Sequence, residues 1–129
     1  MNERETRAAV RERAENCCEY CALPEEAEPF FRFHIEHIIA RQHGGGDGLE
    51  NLALACYHCN ARKGTNLTAI DPLTAAIVPL FHPRREVWGI HFASNGNLIE
   101  GISPSGRATV ALLRMNAPDR RRLRGRPRR

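Results

Sequence analysis

The chain of 129 residues has the length of one ordinary domain and is too short for a two-domain enzyme. A hydrophobic content of 42% and a charged content of 26% exclude a wholly disordered or a fibrous protein. Its apolar runs are too short to span a bilayer, and the charged N-terminus lacks the apolar segment of a signal peptide. We therefore expect a soluble, cytoplasmic protein with no membrane partner.

The formal net charge of +4 is distributed unevenly along the chain. Residues 1–50 carry 6 Arg and 11 acidic residues, and residues 51–119 carry 6 basic and 4 acidic residues. Residues 120–129 carry 7 Arg and no acidic residue. Because the positive excess lies in the last ten residues, net charge does not predict a nucleic-acid surface on the body. The Arg-rich segment is typical of a solvated charge run or of an arm that binds phosphate without sequence choice.

The first half of the chain predicts two helices and two strands. Good helix formers and an i,i+4 ion pair predict a helix over 3–15. Aromatic and β-branched residues predict a strand over 30–39, which a glycine run follows. A short strand over 51–55 then leads to a helix over 57–63 that a glycine stops.

The second half contains no cysteine and predicts a small antiparallel sheet with a helix. Three short strands are expected, over 77–81, 86–93 and 98–102. Asn95-Gly96 is the predicted hairpin turn between the last two strands. Ser103 and Pro104 are typical of an N-cap and a first helical position, so we expect a helix from there to about residue 115.

Five cysteines in a chain without an export signal favour a metal site over a disulfide framework. Four of them form two C-x2-C pairs, Cys18 with Cys21 and Cys56 with Cys59. Two thiolates separated by two residues at a tight turn can face one ion, so each pair supplies half of a tetrahedral zinc site. We predict a structural zinc ion closed by these four thiolates, with Cys17 outside the site.

Further motifs lie in a fixed order within and just after the segment that the two cysteine pairs enclose. The text reads EHIIARQHGG and then NLALACYHCNARKG. This order resembles the HNH endonuclease family, whose pattern is an acidic residue or His before His, a glycine loop, Asn-Leu, and C-x2-C followed by His or Asn and Lys-Gly. The resemblance covers about a third of the chain. The later text PLFHPRREVWGIHF is similar to the C-terminal extension of a bacterial subgroup of these proteins.

The resemblance implies an α+β fold with a ββα-metal core, in which a hairpin and a helix hold one divalent ion. It implies hydrolysis of DNA phosphodiester bonds, with His37 as the general base that activates water. Glu36 and Asn60 would hold a Mg²⁺ or Mn²⁺ ion that stabilises the departing 3′ oxygen, and Asn51 would bond across the loop to orient the strand of His37. Candidate phosphate contacts are Arg41, His43 and Lys63.

One geometric condition applies to this implied site. Neighbouring side chains of a regular strand point to opposite faces, so Glu36 and His37 can serve one site only if the strand ends or bends there. The glycine run that follows is compatible with such a bend.

We expect three regions along the chain. A zinc-stapled nuclease core with its N-terminal helix would occupy 1–67, a β and helix extension packed on the core would occupy 68–119, and a disordered Arg-rich tail would occupy 120–129. An alternative function is a non-catalytic zinc module that binds nucleic acid or protein through the same scaffold. Since a short chain leaves little surface for reading base edges, a homodimer or a partner protein that supplies specificity is a further expectation.

Overall fold

The structure, a computed structural model, describes residues 1–125, in which short helices alternate with three two-stranded antiparallel sheets. The helices are α1 (Glu3–Arg13), α2 (Tyr57–Lys63), α3 (Trp88–His91), α4 (Pro104–Leu113) and α5 (Pro118–Arg124). The strands are β1 (His34–His37), β2 (Leu52–Ala55), β3 (Thr68–Ile70), β4 (Ile77–Pro79), β5 (Phe92–Asn95) and β6 (Leu98–Gly101). This mixture of helix and sheet agrees with the predicted α+β class.

Helix α1 begins at a capping box and lies against β2. The side chain of Asn2 accepts a hydrogen bond from the backbone N–H of Glu5 at 2.8 Å, and the Glu5 carboxylate accepts one from the N–H of Asn2. Val10 is the one residue of α1 that is fully buried, so the apolar contact is small. Arg13 at the end of the helix compensates for this, since its guanidinium donates to the carbonyl of Leu52 at 2.6 Å.

Strands β1 and β2 form the hairpin that leads into α2. His34 pairs with Ala55 at one end of the register, and His37 pairs with Leu52 at the other. The strand predicted over 30–39 is therefore limited to four residues, because its partner β2 offers four residues for pairing. Strand β2 is buried along its whole length and ends where Cys56 caps α2. Helix α2 has the predicted bounds.

The second half contains two hairpins instead of the one small sheet that was predicted. Strand β4 pairs with β3, which the sequence analysis missed, and β5 pairs with β6. The predicted strand over 86–93 is wrong for residues 86–91, of which 88–91 form the single turn α3. This turn brings the indole of Trp88 to the first cysteine loop, where its N–H donates to the carbonyl of Tyr20 at 2.8 Å.

Helix α4 begins after its N-cap Ser103, as predicted, and it holds the β3–β4 hairpin in place. The guanidinium of Arg107 donates two hydrogen bonds of 2.9 and 2.8 Å to the carboxylate of Asp71, which lies immediately after β3 and has no exposed surface. This contact lowers the pKa of Asp71 to about 2. Bidentate Arg–carboxylate pairs add geometric specificity as well as binding energy, so the hairpin has a defined orientation on α4.

One hydrophobic cluster joins the two halves of the chain. Its large members include Val10, Tyr20, Leu54, Phe81, Phe92, Leu113 and Met115. The first cysteine loop, the hairpin and the C-terminal elements thus share a core. No helix within residues 1–125 is long and apolar enough to cross a membrane.

The prediction of disorder over 120–129 is wrong for the residues up to 125. Residues Pro118–Arg124 form α5, and the buried Arg120 places Nη1 3.3 Å from Oε1 of Glu28. Arg124 donates to the carbonyl of Met115 at 2.6 Å. The Arg-rich composition predicted a solvated segment, because the hydrogen-bond acceptors of these arginines, Glu28 and Met115, lie outside it. Residues 126–129 of the predicted tail lie outside the described residues.

Arg120→Ala is expected to lower the free energy of unfolding by about 3 kcal/mol, because removal of one partner of a buried ion pair leaves the other charge uncompensated. Arg122→Ala removes the same charge from an exposed position of α5 and should change that free energy by less than about 0.5 kcal/mol. Urea unfolding of the zinc-loaded protein measures both variants. Equal effects would show that Arg120 does not anchor α5.

Candidate active site and metal centre

The four cysteines of the two C-x2-C pairs converge in the core. Their sulfur atoms all lie within 4.8 Å of one another, and the four side chains are buried. The sulfurs of Cys21 and Cys56 are 3.8 Å apart. A tetrahedral zinc ion with Zn–S distances of about 2.3 Å separates its sulfur ligands by about 3.8 Å, so this donor set fits one zinc ion. Four thiolates close the coordination shell, which makes the zinc structural.

Local turns bring the two cysteine pairs together. The backbone N–H of Cys18 donates to the carbonyl of Leu23 at 2.8 Å, and Ala22 adopts a positive φ of 64° to close the first turn. The carboxylate of Glu19 then accepts a hydrogen bond from the N–H of Leu54 in β2 at 2.8 Å. At the second pair, the sulfur of Cys56 accepts from the N–H of residue 59 and caps α2. One residue is therefore both a metal ligand and a helix cap.

Two arginines of α5 lie close to the cysteine cluster. Arg120 and Arg124 both interact electrostatically with Cys21 and Cys56. Nε and Nη2 of Arg120 have no hydrogen-bond partner in the described structure. Since a zinc ion with four thiolates carries net negative charge, these guanidinium groups offset charge that burial penalises. Burial also raises the pKa of the Cys18 thiol, so it is the metal that would hold this ligand as a thiolate.

Cys56→Ser is expected to abolish stoichiometric zinc binding and to unfold the core, because it removes a ligand and weakens the cap of α2. Cys17→Ser provides the matched control, since Cys17 lies outside the cluster and its variant should retain one zinc ion per chain. Zinc content and circular dichroism distinguish the two variants. A zinc-free but folded Cys56→Ser protein would contradict the structural role of the ion.

His37 lies at the end of β1 and faces the glycine loop. Its Nε2 is 2.7 Å from Oδ1 of Asp47, and Nε of Arg41 donates to the same oxygen at 2.8 Å. These two contacts hold the pKa of Asp47 below its usual value. An ionised carboxylate only accepts hydrogen bonds, so Nε2 must donate to it. Nδ1 of His37 then carries the lone pair that can accept a proton.

Asn51 fixes the loop that carries Asp47. Its Nδ2 donates to the carbonyls of Ile39 and Gly46 at 2.9 and 2.8 Å, and its Oδ1 accepts from the N–H of Ile39 at 2.9 Å. Gly45 is needed for this approach, because a Cβ at that position would overlap the carbonyl oxygen of Ile39. The hydrogen bonds of Asn51 thus cross the loop that carries Asp47 and hold that loop beside His37.

Glu36 points away from that loop into the interior. Its carboxylate accepts a hydrogen bond from the hydroxyl of Tyr20 and lies 3.6 Å from Nζ of Lys63. Glu36 is 6% exposed, and burial raises its pKa although the lysine and the tyrosine oppose the shift. In the structure Glu36 and His37 therefore have different neighbours, as the alternation of a regular strand requires.

The remaining predicted site residues lie on α2 and in the turn after β1. Asn60 is half-buried and precedes Lys63 by about one helical turn. Arg41 and His43 are exposed in the 3₁₀ turn Arg41–His43. The predicted phosphate contact of Lys63 is not compatible with its position, because its ammonium is buried and donates to the carbonyl of Ile38 at 2.8 Å.

Asp47 and Tyr20 were not identified from the sequence. Asp47 is the one charged residue within the glycine run, and that placement is a signal that could have identified it. Tyr20 lies between the first two zinc ligands, and nothing in the sequence relates it to Glu36. Within residues 1–125, the four cysteines are the one group of three or more His, Cys, Asp or Glu side chains arranged to hold a metal ion. A second ion would have fewer protein ligands of these types.

The HNH endonuclease family model matches residues 18–66. The match begins at the first zinc ligand and continues through β1, the glycine loop, β2 and α2. The resemblance inferred from the motifs is thereby confirmed for this segment. No curated protein and no solved structure matches the chain significantly.

Proposed function

We propose that the protein is a metal-dependent HNH endonuclease that hydrolyses DNA phosphodiester bonds, with His37 as the general base. The observation that carries this proposal is the 2.7 Å contact of His37 with Asp47 inside the segment that matches the nuclease family. A non-catalytic zinc module would need the four cysteines but would have no use for an oriented histidine beside an exposed surface. We therefore do not favour that alternative.

In the proposed reaction, His37 Nδ1 removes a proton from water and the resulting hydroxide attacks phosphorus in line with the departing 3′ oxygen. The carboxylate of Asp47 stabilises the imidazolium that forms and keeps the ring in one orientation. An exposed aspartate is ionised at neutral pH, and the contacts with His37 and Arg41 that lower the pKa of Asp47 favour the same form. Asn51 keeps the loop rigid, which limits the reorganisation that the reaction requires. Arg41 is exposed beside Asp47 and is our proposed phosphate contact, together with His43.

Glu36 and Asn60 are the ligands that we propose for the catalytic Mg²⁺ or Mn²⁺ ion, since both offer hard oxygen donors. When bound, the ion supplies positive charge that stabilises the scissile phosphate. The donor set fits this ion less well than the cysteines fit zinc, because the Glu36 carboxylate is already engaged by Tyr20 and Lys63. An ion held by Glu36 would have to share the carboxylate with the ammonium of Lys63 or displace that ammonium.

His37→Ala is expected to lower the rate of supercoiled-plasmid cleavage in Mg²⁺ or Mn²⁺ by a factor of about 10² to 10⁴, because it removes the general base. Asp47→Asn should lower the rate by about 10 to 100-fold, since the ring loses its orienting charge. Asp119→Asn, an exposed carboxylate in the first turn of α5, is the control and should leave the rate unchanged. Zinc content and circular dichroism verify that the variants are folded. An unchanged rate in folded His37→Ala would refute the assignment of the base.

Binding of Mn²⁺ to the zinc-loaded protein, measured by electron paramagnetic resonance, tests the ion ligands without any cleavage. Glu36→Gln and Asn60→Ala are each expected to weaken Mn²⁺ binding by at least about tenfold, because the first removes the negative charge of a ligand and the second removes an oxygen ligand. Asp47→Asn should bind Mn²⁺ as the unaltered protein does. The reverse pattern, with binding lost in Asp47→Asn alone, would locate the ion at the glycine loop. Asn60 is half-buried, so its variant remains informative if Glu36→Gln fails to fold.

A further inference from the structure

Three aromatic side chains are exposed side by side next to the hairpin. Phe30, Phe31 and Tyr57, which we call the aromatic group, are 83%, 51% and 47% exposed. The rings of Phe31 and Tyr57 are stacked, with centroids 4.7 Å apart and planes at 19°. Phe30 meets Phe31 edge to face at 6.5 Å, and the ring of His34 lies 6.1 Å from that of Tyr57. The group is therefore ordered by its own ring contacts while its outer faces remain open.

The exposure of this group is not a general property of aromatic residues in the fold. Phe33, two residues after Phe31, is 4% exposed and belongs to the core, as do Phe81 and Phe92. Clustered apolar surface of this kind on a small protein indicates an interaction site more often than scattered exposed residues do. Flat rings with open faces are suited to other flat rings.

A cleft that contains three arginines adjoins the aromatic group. It has a volume of about 390 Å³ and is lined by Arg7, Arg11, Arg32, Phe33, His34 and Ile35. Arg32 follows Phe31 directly in the chain, and the ring of His34 lies 6.1 Å from that of Tyr57, so these two residues connect the cleft to the group. Arg11 is engaged by the carboxylate of Glu25 and by the carbonyl of Phe33. Arg7 forms an i,i+4 pair with Glu3, but both side chains are more than half exposed, so solvent screens this pair and phosphate can compete for the guanidinium.

The aromatic group also adjoins the residues proposed to hold the catalytic ion. Tyr57 and Asn60 are separated by three positions on α2, so they share one face of the helix. His34 precedes Glu36 by two positions on β1, so these two side chains share one face of the strand, opposite to that of His37. A polynucleotide whose phosphate lies at the proposed ion would therefore reach the aromatic group within a few nucleotides.

We propose that the aromatic group and the adjoining cleft bind a single-stranded segment of the nucleic acid next to the site of cleavage. Unpaired bases would stack on Phe31 and Phe30, and their phosphates would contact Arg32 and Arg7. Paired bases in a duplex are already stacked on their neighbours, so a ring-shaped surface favours unpaired segments such as gaps, flaps or loops. This proposal rests on the proposed nuclease function and narrows its substrate class.

The presence of the cleft argues for nucleic acid over protein as the occupant. A second copy of the chain or another protein could cover the rings, but neither needs the exposed Arg7 and Arg32 beside them. Stacked rings with adjoining guanidinium groups match a base and its phosphate in chemistry. The test must therefore distinguish nucleic-acid binding from self-association of the chain.

Fluorescence anisotropy of a labelled 20-nucleotide oligo(dT), with zinc-loaded protein and no added Mg²⁺ or Mn²⁺, measures binding without cleavage. The protein is expected to bind the oligonucleotide more tightly than a 20-base-pair duplex. Phe31→Leu and Tyr57→Leu keep an apolar side chain but should each weaken oligo(dT) binding by about tenfold, because each removes a stacking surface. Ile77→Ala, a 72% exposed residue of β4, is the control and should bind normally.

Two further variants make the test specific for stacking and for phosphate. Phe31→Trp should restore the affinity, and its indole fluorescence should be quenched when a base stacks on it. Arg32→Gln should lower the slope of log affinity against log salt by about 0.7, the value for one phosphate contact on a single strand.

Equal oligo(dT) affinity in Phe31→Leu and the unaltered protein, or a preference for the duplex, would overturn the proposal. Sedimentation supplies the other contrary result: if Phe31→Leu converts a dimer into a monomer with unchanged oligonucleotide binding, the group is a self-association surface. Because binding is measured without a catalytic ion, failure here leaves the plasmid assay of His37→Ala untouched. Conversely, if the protein cleaves no plasmid but binds oligo(dT) through Phe31, the proposed binding surface is supported and the proposed nuclease function is refuted.

Discussion

The convergence of four cysteines is the constraint on which the rest of the structure depends. It joins Cys21 to Cys56 across 35 positions of the chain, and β1, the glycine loop and β2 all lie within the loop that it closes. The same contact begins α2, because Cys56 caps that helix. A metal centre whose ligands come together only in the folded state supplies folding free energy directly. The geometry around His37 is thus a consequence of the zinc site.

Buried charge is the second organising feature, and it connects distant segments. Lys63 and Tyr20 balance Glu36 inside the hairpin, and Arg120 of α5 balances Glu28 as well as the field of the thiolates. Each such contact orders two segments at once, since a buried charge without its partner is strongly unfavourable. The last helix is therefore part of the environment of the zinc centre, although it lies far from the cysteines in the sequence.

Local sequence signals predicted the elements whose structure is determined within a few residues. The bounds of α2, the N-cap at Ser103 and the pairing of the cysteines follow from spacing and caps, whereas the hairpin of β1 and β2 was expected from the resemblance to the HNH family. The sequence could not predict that β3 pairs with β4, that Lys63 is buried or that Arg120 has an acidic partner, because each depends on a residue brought near by tertiary packing. Asp47 is intermediate: its position among glycines is visible in the sequence, but its contact with His37 is not.

Strand β1 divides the candidate site into two sides with different chemistry. His37 faces the exposed loop with Asp47, whereas Glu36 faces α2 with a lysine already at its carboxylate. A phosphate that approaches from solvent would meet the proposed base first, and the exposed Arg41 and the rings beside Tyr57 lie on solvent-facing surfaces as well. An ion held from the exposed side would reach that phosphate without disturbing the interior, whereas an ion held by Glu36 would require the charge balance with Lys63 to change. The location of the proposed ion would therefore decide whether the buried charge pair is a permanent part of the fold or an interaction that metal binding breaks.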